Sequence, residues 1–302
     1  MPPLSLGGVR VIDTFAEAFD MAATGVIITA DSPRWAQIAA TVMTGFATSV
    51  IGCGVEAGID AELSPEDTPD GRPGVRVLLF GFDAAGLKGQ VLKRVGQCVL
   101  TSPGSAAYAG TDGATRIGMG GGVRAFGDGF ETAKRLGGRR LWRVPVMDGE
   151  FVCEHDTGLV EGAVGGGNLI FLGRDEAGTL RVAEAAAEAA GDVPDAVLPF
   201  PGGVVRSGSK VGSRSGRLMA STNDAYCPTL KGRPGSALSP EVGAVLEIVI
   251  DGLSDEAVRA SMRAGLHAAA AIGADHGLVE ITAGNYGGKL GRHHFHLRDL
   301  LS

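Results

Sequence analysis

Four times along the chain an apolar, β-branched run gives way to a helix-start signal and then to a stretch with helical spacing of apolar positions. The run Gly25-Val-Ile-Ile-Thr-Ala30 predicts a strand. Asp31-Ser32-Pro33 then predicts a helix from about Arg34 to Gly45, because Ser32 can cap free N–H groups and Pro33 suits the first turn. Val75–Phe82 predicts a second strand, with Asp83 capping a helix to about Val95 that Gly96 ends. Asn168–Leu172 predicts a third, followed by an Ala/Glu helix from about Leu180 to Ala190 that Gly191 and Pro194 stop. Ala244–Ile250 predicts the fourth, with Ser254 capping a helix to about Ile272.

Two of these units precede residue 147 and two follow it, and the turn-rich stretch around Pro145 and Asp148-Gly149 separates them. The expected division is therefore 1–147 and 148–302, and a chain of 302 residues suits two lobes of roughly 150. Each lobe has too few strands for a doubly wound sheet. The expected class is α+β, each lobe a sandwich of the ferredoxin-like (split βαβ) type, with a substrate cleft between them.

Composition narrows the function. Apolar residues at 44% and charged residues at 20% describe a globular protein, and 49 glycines without a fixed period point to many tight turns. A net charge of −7, with no basic cluster interleaved with aromatics, makes nucleic acid an unexpected partner. Cys53, Cys98, Cys153 and Cys227 lie far apart and read as reduced thiols. Met1–Val11 lacks the basic start and apolar run of a leader, and no apolar stretch approaches the roughly 20 residues of a membrane span. The expectation is a cytoplasmic protein.

Several motifs carry less chemistry than they first suggest. Gly118-Met-Gly-Gly-Gly122 and Gly165-Gly-Gly167 do not fit a dinucleotide fingerprint. Gly52-Cys-Gly54-Val-Glu-Ala57 does fit its looser form, but Gly58 and Pro65 stand where a long helix is needed. Gly284-Asn-Tyr-Gly-Gly-Lys-Leu290 resembles a phosphate loop, yet Leu290 replaces the hydroxyl that would bind Mg²⁺. His293, His294 and His296 supply either two nitrogen ligands on one strand face, as in a zinc hydrolase, or an exposed polar face or subunit contact. Phe200–Arg217 reads as a long loop, and Ser207, Lys210 and Arg214 in it suit either an anionic substrate tail or plain solvent. Glu247, between Leu246 and Ile248 in a strong strand, is either a buried carboxyl with a raised pKa or part of a polar sheet face.

Longer segments add a family. Asp13-Thr-Phe-Ala-Glu-Ala-Phe19, Thr44-Gly-Phe-Ala-Thr-Ser49 with Glu56-Ala-Gly58, Glu247-Ile-Val-Ile-Asp-Gly252 and Ile281-Thr-Ala-Gly-Asn-Tyr-Gly-Gly-Lys-Leu-Gly291 resemble signatures of the formylmethanofuran:tetrahydromethanopterin formyltransferases. The resemblance runs from Asp13 to about Leu300. It implies two α+β lobes, no prosthetic group, and formyl transfer between the N5 of a tetrahydromethanopterin and the amine of a methanofuran. It also places the family's catalytic carboxylate at Glu247.

The moderate charge looks more like the methylotroph branch, whose member is one subunit of a formyltransferase/hydrolase complex. Expected partners are thus the two carriers, further copies of the chain, and hydrolase subunits; the alternative is a non-catalytic scaffold in such a complex. Because the carrier amines are themselves nucleophile and leaving group, no serine or cysteine triad is needed. A protonated Glu247 would serve the departing nitrogen. Backbone N–H groups of the Gly284–Gly288 loop, with the Asn285 amide, are expected to meet the oxyanion. Tyr286 and Phe46 are expected either to wall the flat rings or to be core aromatics.

Overall fold

The computed structural model describes residues 4–302; the first three residues of the N-terminal stretch read above for a leader lie outside it. The protein is α+β, and its contacts divide it into two compact units. One is Met21–Ala163; the other joins Val164–Ser302 to the N-terminal segment ending at Asp20. The turn at residues 147–148 joins two antiparallel strands, Arg139–Val146 and Gly149–Glu154, with Val146 opposite Gly149. Among the described residues no helix is long and apolar enough to cross a membrane.

In the Met21–Ala163 unit the strand order is Val55–Leu63, Gly74–Gly81, the Ala22–Thr29 part of Phe15–Thr29, and Ala106–Ala109, all antiparallel. Gly149–Glu154 continues the sheet parallel to Ala106–Ala109, followed by Arg139–Val146 and Thr132–Leu136. Helix Pro33–Thr44 begins as expected, the Ser32 hydroxyl accepting from the Trp35 N–H, and buries Ala36, Ala39, Ala40 and Met43. Those positions, three and four residues apart, face Val26, Ile28, Val75, Val77 and Leu79 of the sheet. Asp83 caps helix Ala84–Arg94 through the Gly86 N–H. Gly96 does not end that helix. Buried Val95 and Val99 draw the chain on through a wider turn of π type over Val95–Val99.

The second unit is built around strand Val160–Gly173, antiparallel to Leu278–Thr282 on one side and to Ala244–Gly252 on the other. Short strands Val204–Val205 and Ala196–Val197 pair antiparallel with the outer edge of Ala244–Gly252. Beyond Leu278–Thr282 comes Val9–Val11, parallel to it, then Leu4–Leu6. Helices Glu176–Gly191 and Asp255–Gly273 begin at capping residues Asp175 and Ser254. The first therefore starts a turn earlier than the sequence pattern suggested, because Asp175 satisfies the Gly178 N–H. Both helices pack on one sheet face, over Leu169, Phe171, Ile248 and Ile250. Their Ala-rich faces allow close approach, and the Ser261 hydroxyl donates across to the Ala190 carbonyl at 2.8 Å. The stretch Phe200–Arg217, expected to be loop, contains strand Ser209–Val211 paired with Ala220–Thr222. His293–His296 pairs antiparallel with Phe15–Ala18, burying Phe295.

Candidate active site

Alternation along Ala244–Gly252 decides where Glu247 points. Ile248 and Ile250 face the helices, so Glu247 lies on the opposite sheet face, paired with Ile170 on one side and Val205 on the other. Beside this strand a cavity of about 910 Å³ opens. Its walls include Ile170, Phe200, Ser207, Tyr226 and Leu246, and Glu247 is among them, so all of its lining belongs to one unit. The carboxyl is open to the cavity yet surrounded by protein on nearly every other side. Burial pushes its pKa up to about 7. Such a group exists in both protonation states near neutral pH, which is what a proton donor and acceptor requires.

The glycine-rich stretch after Thr282 is held by a residue that pattern reading passed over. Glu17 is 1% exposed, and its carboxylate collects four backbone N–H groups from one loop. Oε2 accepts from Tyr286 at 2.6 Å and Gly288 at 2.8 Å, and Oε1 from Leu290 at 2.7 Å and Gly291 at 2.8 Å. Burial acts to raise the Glu17 pKa, but these four donors outweigh it and hold it down at about 2. Positive φ at Gly287 (81°) and Gly288 (71°) turns the loop so that the Tyr286 and Gly288 N–H groups reach the same carboxylate oxygen. Gly291 has no room for a side chain, since a Cβ there would stand 2.2 Å from the Ala18 carbonyl oxygen.

This arrangement bears on the part expected of the loop. The N–H groups of Gly284 and Gly287 are also taken, by the side-chain oxygens of Asn168 at 2.6 Å and Asn285 at 3.1 Å. The Asn285 amide nitrogen donates to Thr14 Oγ1 and the Phe15 carbonyl. The donors of Gly284, Asn285, Gly287 and Gly288 named for the oxyanion thus each have a partner within the protein.

The remaining candidates fall in different places. Ser207 lies on the cavity wall with Glu247. Lys210 sits on the Ser209–Val211 strand, where its ammonium pairs with Asp224. Tyr286 is part-exposed with its ring 5.9 Å from that of Phe19, and its phenol pKa is raised by burial, then by the charges of Glu247 and Glu17. Phe46 belongs to the Met21–Ala163 unit and is 80% exposed at φ 49°, just past helix Pro33–Thr44, where the Arg94 guanidinium donates to the carbonyls of Gly45 and Phe46. His293 lies between carboxylates, Nδ1 at 3.1 Å from Asp255 and Nε2 at 3.0 Å from Asp20. Among the described residues no three His, Cys, Asp or Glu side chains are grouped to hold a metal ion.

Comparison with known proteins decides the family. Residues 4–146 match the family described as formylmethanofuran-tetrahydromethanopterin formyltransferase, and residues 149–300 match "FTR, proximal lobe". The chain belongs to the formylmethanofuran–tetrahydromethanopterin formyltransferase family. It is 69% identical to a subunit of the formyltransferase/hydrolase complex of Methylorubrum extorquens, over 100% of this chain and 98% of that one. The crystal structure of the formyltransferase/hydrolase complex from that organism, in complex with methylofuran, holds a chain that superposes at a TM-score of 0.98, covering 99% of each. The formyltransferase of Methanosarcina barkeri, 42% identical, superposes at 0.93 over 98% of this chain and 100% of that one. In family terms, the cavity and Glu247 lie within the part matched as the proximal lobe.

Proposed function

We propose that this formyltransferase-family chain moves a formyl group reversibly between N5 of a tetrahydromethanopterin-type pterin and the primary amine of a methanofuran-type carrier. The observation that carries the reading is Glu247, a carboxyl with a pKa near 7 on the wall of a large cavity. Attack of one carrier's nitrogen on the formyl carbon gives a tetrahedral intermediate with a negative oxygen. Its collapse breaks the bond to the other nitrogen, which must gain a proton. Protonated Glu247 donates that proton, and the carboxylate left behind takes the proton that the attacking nitrogen sheds, so the carboxyl ends each transfer as it began and the reverse direction runs the same exchange. The carriers are substrates in this reading and no prosthetic group enters any step; Ser207 contacts one of them on the same wall.

The identity to a subunit of the Methylorubrum extorquens complex supports a place for the chain in a formyltransferase/hydrolase assembly, where formyl delivered to the furan carrier is hydrolysed by partner subunits. The strand orders support reading both units as split βαβ sandwiches. In each, the first strand lies between the third and fourth, and the second flanks the third.

Formyl exchange between the two purified carriers is the direct assay. Wild-type protein is expected to catalyse it, and Glu247→Gln, which keeps the shape and removes the titrating proton, to lose at least about 100-fold in rate. Wild-type turnover by the variant would remove Glu247 from the mechanism, and no exchange by the wild type would overturn the reading.

A further inference from the structure

The Gly284–Gly291 loop leaves its strand at the level of the catalytic carboxyl. Ile170 pairs with Glu247 on one side and with Thr282 on the other, so these three side chains share one face of the sheet. Two residues beyond Thr282, Gly284 is clasped by the Asn168 side chain, which accepts its N–H and donates to its carbonyl at 3.2 Å. Two residues further on, Tyr286 has its own N–H bound to Glu17 at 2.6 Å, and Phe19 lies against its ring. The backbone on both sides of Tyr286 is therefore fixed from the strand that carries Glu17 and Phe19, while the side chain remains 37% exposed. A buried carboxylate given wholly to one loop, and a phenol left open at that loop's tip, make an uneven pairing if stability alone is at issue. Six of the loop's eight N–H groups, those of Gly284, Tyr286, Gly287, Gly288, Leu290 and Gly291, are already bound within the protein. A tetrahedral intermediate still needs a donor for its oxygen.

We propose that Glu17 is a positioning residue for formyl transfer: by locking the loop it holds the Tyr286 hydroxyl beside Glu247, where the phenol donates a hydrogen bond to the oxygen of the tetrahedral intermediate. The inference rests on the reading of Glu247 as the proton donor at this site. The Tyr286 proton is shared with the oxyanion and returns when the intermediate collapses, so no net proton passes through it. The electrostatics agree, because burial and the charges of Glu247 and Glu17 keep the phenol protonated.

The test is a double-mutant cycle in the formyl-exchange assay on the intact protein, with kcat and KM measured for both carriers. Tyr286→Phe is expected to fold as the wild type does and to lose roughly 100-fold in kcat with little change in either KM. Glu17→Gln, which turns an NH₂ group toward two of the four N–H donors, is expected to lose a similar factor. If Glu17 acts through Tyr286, the double variant is no slower than the slower single variant. Losses that multiply, or a loss confined to KM, overturn the proposal by making Glu17 a structural staple. Should Glu17→Gln not fold, Tyr286→Phe decides alone, since full activity in that variant removes the hydroxyl from the reaction. Glu247→Gln assayed beside them keeps the two readings apart. A normal rate in Glu247→Gln defeats the proton-donor reading, whereas overlapping losses at Glu17 and Tyr286 depend only on how those two residues are coupled.

Discussion

Glu247 and Glu17 are the same residue type in neighbouring segments of one unit, and their surroundings drive them in opposite directions. At Glu247 burial acts without compensating donors, so the carboxyl holds its proton up to about pH 7. An ordinary unfolded glutamate releases its proton near 4.5. The folded state therefore binds the extra proton between these values. The stability it contributes is fully present below about 4.5 and is lost as pH rises through 7. Urea titrations of wild type and Glu247→Gln should accordingly diverge with pH, the variant becoming the more stable above pH 7 by on the order of 2 kcal/mol, with a flat difference counting against a buried carboxyl. In the proposed mechanism the same proton sets the rate. Transfer toward a leaving amine should fall about tenfold per pH unit on the alkaline side of 7, and a pH–rate profile of the wild type checks it. At Glu17 four N–H donors reverse the balance, so its charge persists throughout that range and the loop it holds does not loosen with pH.

Elements follow local chemistry where the helix or strand ends in its own capping group. Ser32, Asp83, Asp175 and Ser254 each accept from an N–H three residues on, so four helix starts are written in short stretches of sequence. Helix ends and glycines are set by neighbours instead. Gly178, one turn into its helix, is a poor helix former by propensity, and an alanine there would gain about 1 kcal/mol in an isolated helix. In the folded protein its Cβ would lie 2.2 Å from the His276 carbonyl oxygen, which is backbone and cannot step aside. Gly178→Ala is therefore expected to cost about 2 kcal/mol or more in chemical denaturation, the opposite of the propensity effect. Gly96 shows the reverse case. It faces open space, and the buried valines on either side of it carry the turn onward.

At the scale of the whole molecule, four strands of each unit share one order while the strands added at the edges differ. The contact division after Asp20 and before Val164 nonetheless differs from the place near residue 147 where the two family descriptions meet. The N-terminal strand explains why. Residues 15–18 pair with His293–His296, and Glu17 binds the loop before it, so residues 4–20 are packed into the C-terminal unit although their sequence leads directly into the other. The proposed place in a formyltransferase/hydrolase assembly is tested at this scale too. The chain purified from its native host is expected to travel with hydrolase subunits, and mass measurement under native conditions should find a species well above 30.7 kDa. Recovery as a lone monomer would count against that placement.

Much of the fold was legible because strands and capped helices depend on residues close together in sequence, and Glu247 was legible as a candidate because a lone carboxylate inside an apolar strand is conspicuous. Its two readings, buried acid or solvent-facing polar side, could not be separated along the chain. Alternation specifies that Glu247 faces away from Ile248, but only the segments packed over that sheet face decide whether water covers it. Glu17 was invisible for a related reason. Its partners lie about 270 positions away, and backbone N–H groups carry no residue signature, so nothing in the pattern distinguishes a carboxylate bound to them from one in solvent. The sequence by itself determined the main strands and capped helices, the family resemblance and the candidate carboxylate. Tertiary structure alone decided its proton affinity and the commitment of the glycine-loop donors, because desolvation and hydrogen-bond satisfaction are properties of what surrounds a group in space.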